Sequence, residues 1–163
     1  MQKTSINLPE IRLVGIKMRT SYAIESNPET GKISSTVKRF VGEELFTKIP
    51  NRIKPNVVYC VYTEYESDYK GEYTYFVGEE VSSFEDVPHE LETLAIPPQS
   101  YTKFTTDPGP MPQVLINAWY EIWDMSRDDY GGERGYHTDF EVYDERANDP
   151  NKAVLDIFIG LRK

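Results

Sequence analysis

With 27 acidic against 18 basic side chains in 163 residues, the chain carries a formal net charge of −9, so it has no electrostatic means of gripping nucleic acid by itself. The length and a hydrophobic content of 39% suit one folded domain, or two small halves sharing a core. Cys60 is the only cysteine, which excludes an internal disulfide and a cysteine-based metal cage.

The opening MQKTSINLPEIRLVG lacks the apolar core of a signal peptide, and no apolar run is long enough to span a bilayer, so a cytoplasmic protein is expected. IRLVGIKMRTS, residues 11 to 21, alternates apolar and polar side chains and predicts a strand. After the turn NPETGK, the spacing of Ile33, Val37, Phe40, Val41 and Leu45 predicts a helix. The prolines of KIPNRIKP stop it. VVYCVYTEYE (57 to 66) and YTYFVGEEVSS (73 to 83), joined by SDYKGE, predict a β-hairpin.

The same order then recurs. YTKFTTD (101 to 107) predicts a strand, and PGPMP is a breaker that also suits a helix start. QVLINAWYEIWDM predicts a helix with Leu115, Ala118, Ile122 and Met125 on one stripe. DFEVYDER and AVLDIFIGLRK predict a second hairpin around ANDPNK. Laid over the first, FEVYDE matches YCVYTE and FIG matches FVG, with registers that differ by one residue, which a loop absorbs. Cys60 then corresponds to Glu141, and Tyr62 to Tyr143. A duplication is therefore expected, with repeat one over about residues 8–85 and repeat two over about 90–163. Each repeat would cover one sheet face with its helix, and the opposite faces would curve toward each other to leave a cleft between the halves.

Within HTDFEVYDER, alternation puts Phe140 and Val142 on one face of the strand and Glu141 and Tyr143 on the other. If both faces are covered, a carboxylate and a phenol are held together in a partly dry place. The 12 Tyr, 7 Phe and 2 Trp suit sheets and ligand-lined clefts alike, since tyrosine joins a flat apolar face to a polar tip.

LAIPPQSYTKFTTDPGPMPQVLINAWYEIWDM, followed by DFEVYDER and AVLDIFIGLRK, resembles the gyrase-inhibitor-like (GyrI-like) family, also known as the bacterial transcription activator effector-binding domain. The likeness is clearest over residues 91 to 163, while the first half matches mainly in element order. It implies an α+β fold: two pseudo-symmetric strand-helix-strand-strand repeats forming a curved antiparallel sheet, with helices on one face and a central ligand cleft. It also implies a small-molecule, multidrug-type binding protein that takes bulky, aromatic, cationic ligands. The pocket carboxylate falls on Glu141, its aromatic neighbour on Tyr143, and the helix aromatics on Trp119 and Trp123. Duplication and alternation add Tyr62 and Tyr75, and Cys60 would lie across the cleft from Glu141.

No DNA-binding helix-turn-helix precedes the domain, so a stand-alone member without direct nucleic-acid binding is expected, with a separate regulator protein or a second copy left open as partner. Two alternatives remain open. One is a hydrolase that detoxifies strained, cyclopropanoid-type electrophiles with Glu141 as general base or charge stabiliser. The other is a protein-interaction module that inhibits a DNA-processing enzyme. Neither a cofactor nor a metal is expected: His89 and His137 lack ligand spacing, no glycine-rich loop fits phosphate, and SRDDYGGERG reads as a solvated turn rather than a calcium loop.

Overall fold

The computed structural model describes residues 1–162; Lys163, the last residue of the expected second repeat, lies outside them. Strand β1 (Gln2–Leu8) leads into β2 (Ile11–Ser21), a one-turn helix α1 (Tyr22–Glu25) and helix α2 (Ile33–Gly42). A hairpin of β3 (Val58–Thr63) and β4 (Glu72–Glu80) follows. The second half repeats the plan with β5 (Glu92–Ile96), β6 (Gln99–Thr105), helix α3 (Gln113–Trp123), a short α4 (Arg127–Tyr130), β7 (Thr138–Tyr143) and β8 (Asp156–Gly160). All pairings are antiparallel, in one eight-stranded sheet of order β1-β6-β8-β7-β3-β4-β2-β5. This is the α+β fold that the family resemblance implies, with the element order repeated as the sequence shows it.

The halves meet at the β3–β7 seam, where Cys60 lies directly opposite Glu141 and Val61 opposite Phe140. Cys60 and Glu141 also correspond between the two repeats. Corresponding residues that pair with each other mark a two-fold axis passing between them. The sequence did not predict β1 and β5, and they follow the same symmetry. β1 adds to β6 of the other half, and β5 adds to β2 of the other half. Each half thus lends its leading strand to its counterpart.

Alternation sorts the core into two faces. One carries Tyr59, Val61, Phe76, Tyr101, Phe140 and Phe158, packed as a closed aromatic layer in which Phe140 and Phe158 stack at 4.5 Å. The other carries the helices. α2 sets Phe40 over Val14, Ile16 and Val77, and α3 sets Ala118, Trp119 and Ile122 over Phe104, Ile157 and Ile159. Val41, counted in the apolar stripe of α2, is 54% exposed; one residue past Phe40 turns it about 100° away from the sheet. Among the described residues the aromatic layer fills the helix-free face, where the cleft was expected. The open space is on the helix side, between α2 and α3.

Candidate functional site

Glu141 sits near the middle of the sheet, 1% exposed, with Cys60 and Ile157 as its cross-strand neighbours. Its side chain points to the helix-bearing face, as alternation requires. Oε2 accepts hydrogen bonds from the Tyr62 hydroxyl at 2.6 Å and from the Trp119 indole N–H at 2.7 Å. Oε1 accepts one from the Tyr143 hydroxyl at 2.7 Å. Each donor comes from a different element: β3, α3 and β7 itself. All three are uncharged, and among the described residues no Lys, Arg or His lies at ion-pair distance.

Burial pushes the Glu141 carboxyl above the usual carboxylate range, and the hydrogen bonds from Tyr62, Tyr143 and Trp119 pull it part of the way back. Burial and the nearby Glu141 charge in turn raise the Tyr62 and Tyr143 phenols and the Cys60 thiol, so all three stay protonated. Taking a carboxylate out of water costs several kcal/mol. Three hydrogen bonds to the charged form, about 1.5–3 kcal/mol each, offset much of that. When Glu141 is ionised, these donors hold its charge in place but do not cancel it.

Above this carboxylate lies a cavity of about 610 Å³ between the helices. Tyr62 and Trp119 form its floor with ring centroids 5.4 Å apart, edge to face. Ile33 of α2 and Leu115 of α3 wall the two sides, and Trp123 stands at the mouth, 42% exposed. A second lobe of about 530 Å³ adjoins it, sharing Tyr22, Tyr69, Trp123 and Arg134 with the first.

Of the side chains singled out from sequence, Tyr62, Trp119 and Trp123 line this space. Glu141 and Tyr143 stand directly behind it, touching the floor residues or sharing their hydrogen bonds. Tyr75 and Cys60 lie deeper, in the core under α2, with Tyr75 packed edge-on against Tyr62. Glu141, expected as the pocket carboxylate, does not itself line this space: Tyr62 and Trp119 are interposed.

Sequence reading missed Tyr65, Tyr69, Tyr73 and Arg134 as lining residues. Tyrosine recurs at 65, 69 and 73 across the β3–β4 connection, a pattern that could have marked one flank. The loop after α3 is solvated at residues 126–129, Gly131 and Glu133, as a turn would be, but not at Tyr130 and Gly135. A Ser126–Asp129 capping box and a left-handed Gly131 (φ 74°) close α4, which buries Tyr130, while the Arg134 side chain is 7% exposed and pairs with the fully buried Asp139 at 2.7 Å. Among the described residues no cluster of His, Cys, Asp or Glu could hold a metal ion, and no helix is long and apolar enough to cross a membrane.

The family described as Cass2, integron-associated effector binding protein, matches residues 6–161. The Bacillus subtilis (strain 168) protein called "Putative transcriptional regulator protein YobU" is 28% identical over 153 residues, covering 93% of this chain and 92% of that one. The integron cassette protein VCH_CASS2 from the mobile metagenome of Vibrio cholerae superposes with a TM-score of 0.75 at 27% identity, over 98% of this chain and 95% of the other. SAV2435, solved bound to tetraphenylphosphonium, superposes with a TM-score of 0.77 at 15% identity, over 99% and 94%.

Proposed function

Because the chain belongs to the integron-associated effector binding protein family, we propose that its inter-helix cavity takes bulky aromatic cations. The membership supports small-molecule binding in general. The cationic preference rests on one observation: a fully buried carboxylate, held by three neutral donors and paired with no cation among the described residues, directly behind the aromatic floor.

The physics works through the interposed rings. A cation resting on Tyr62 and Trp119 gains about 0.5–2 kcal/mol from each ring face when water is excluded. Both rings donate their polar hydrogens to Glu141, which pushes electron density back into the π systems. The carboxylate also acts through space: two opposite charges about 7 Å apart attract by about 2 kcal/mol at an effective dielectric near 20. Stacking tolerates variation in ligand shape, so the site is permissive about outline and selective for charge. Tetraphenylphosphonium, the molecule bound to SAV2435, is of this class.

The test is a matched pair: 10-methyl-9-phenylacridinium, a permanent cation, and neutral 9-phenylacridine at pH 8. Titrations followed by tryptophan fluorescence should give the cation at least about tenfold tighter binding. Equal affinities would remove the charge-selective reading.

A further inference from the structure

The cavity has a second polar end, far from Glu141 in chemistry though continuous with it in space. Arg134 lines both lobes. Its guanidinium is held on two sides: Nη2 donates to Asp139 at 2.7 Å, and the carbon lies 4.4 Å from the centre of the Tyr136 ring; the backbone of the same residue bridges to Leu161. Tyr136 adopts left-handed backbone (φ 53°), a conformation that non-glycine residues take only when their surroundings hold them there. Asp139 is itself anchored by the Tyr65 hydroxyl at 2.6 Å and the Gly160 amide at 2.8 Å. Yet Nε of Arg134 is buried with no acceptor in hydrogen-bonding geometry among the described residues, the neighbouring Tyr130 hydroxyl being turned to donate to the Ile122 carbonyl. Buried donors are almost always satisfied, and a rigidly held guanidinium presents several at once.

We infer that Arg134 forms an acceptor-seeking subsite at one end of this cavity, so that preferred ligands carry an uncharged carbonyl-type oxygen beside a cationic aromatic body. The inference rests on the reading of the cavity as a ligand site. The oxygen is uncharged because Asp139 already meets the charge of Arg134 and Glu133 lines the same lobe; a ligand carboxylate would bring a further negative charge to a place that has enough. A small shift of the guanidinium toward the ligand satisfies the orphaned donor without breaking the ion pair.

Three dyes separate the possibilities: tetramethylrosamine, which has no acceptor, tetramethylrhodamine methyl ester, and tetramethylrhodamine with a free carboxylate. Fluorescence anisotropy on the full chain should give the ester at least about tenfold tighter binding than rosamine. The carboxylate should bind no tighter than the ester, and the ester carbonyl stretch should fall on binding. In Arg134→Met/Asp139→Asn, which removes both charges together, the preference for the ester over rosamine, both measured on the same variant, should vanish. Should that variant fail to fold, the wild-type affinities and the carbonyl frequency decide alone. An unshifted carbonyl, equal ester and rosamine affinities, a carboxylate that binds tightest, or a folded double variant that keeps the ester preference would each overturn the inference and leave the cavity reading standing. Binding of none of the dyes would overturn both.

Discussion

Glu141 is the residue on which the molecule departs from what stability alone would favour. Its folded carboxyl is raised above the ordinary value by burial. The stability it contributes is therefore fully present at low pH, below the unfolded value, and is lost as pH rises through the folded value. Glu141→Gln keeps the shape and the contacts to Tyr62, Trp119 and Tyr143 while removing the charge. Thermal melts should show the variant more stable than wild type at pH 8 by about 1 kcal/mol or more, a shift of about 2–4 °C for a domain of this size. At pH 4 the advantage should vanish. An equal difference at both pH values would mean that the carboxyl is not perturbed in the folded state. The face on which Glu141 lies was legible from the alternation with Phe140 and Val142, but its burial was not: an exposed edge-strand glutamate fits the same residues, and the family resemblance pointed to the pocket. Its screening by Tyr62 and Trp119 was not legible either, since that depends on how α3 docks across the seam.

At the scale of elements, the hairpins and the two long helices were legible because their apolar residues recur at clear periods. β1 and β5 were not. Both are edge strands, exposed along most of their length, so neither has to show the alternation that burial imposes. The FVG and FIG motifs did carry a physical meaning. A Cβ at Gly78 would come within 2.3 Å of the Val14 carbonyl oxygen, and one at Gly160 within 2.5 Å of that of Thr138. Both glycines permit backbone from a neighbouring strand to approach more closely than a side chain allows. Gly78→Ala should therefore cost about 2 kcal/mol or more, measured by urea denaturation. Gly42, at the end of α2, has nothing within 4 Å of its added Cβ, and Gly42→Ala should be neutral or stabilising by up to about 1 kcal/mol. A tolerated Gly78→Ala would show that the strands can spread apart at no cost.

For the whole molecule, the exchange of leading strands couples the two halves. β1 cannot leave without stripping an edge from the second half, and β5 likewise supports the first. Both tryptophans, Trp119 and Trp123, lie on α3, so their fluorescence reports the second half while far-ultraviolet circular dichroism reports both. The two signals should give coincident denaturation curves; separated midpoints would show halves that unfold independently. The duplication itself was legible from element order and the paired motifs. Which face would be left open was not, because the choice depends on the aromatic layer of Tyr59, Phe76, Phe140 and Phe158 closing on itself. At the axis one repeat places Cys60 and the other Glu141, so a single carboxyl occupies the centre of an otherwise paired seam. The measurement that bears most directly on this account is the affinity of 10-methyl-9-phenylacridinium and of 9-phenylacridine for wild type and Glu141→Gln at pH 8. The account predicts that the substitution weakens the cation by about tenfold or more and leaves the neutral compound within about twofold. Equal losses for both compounds, or no loss for the cation, would contradict it.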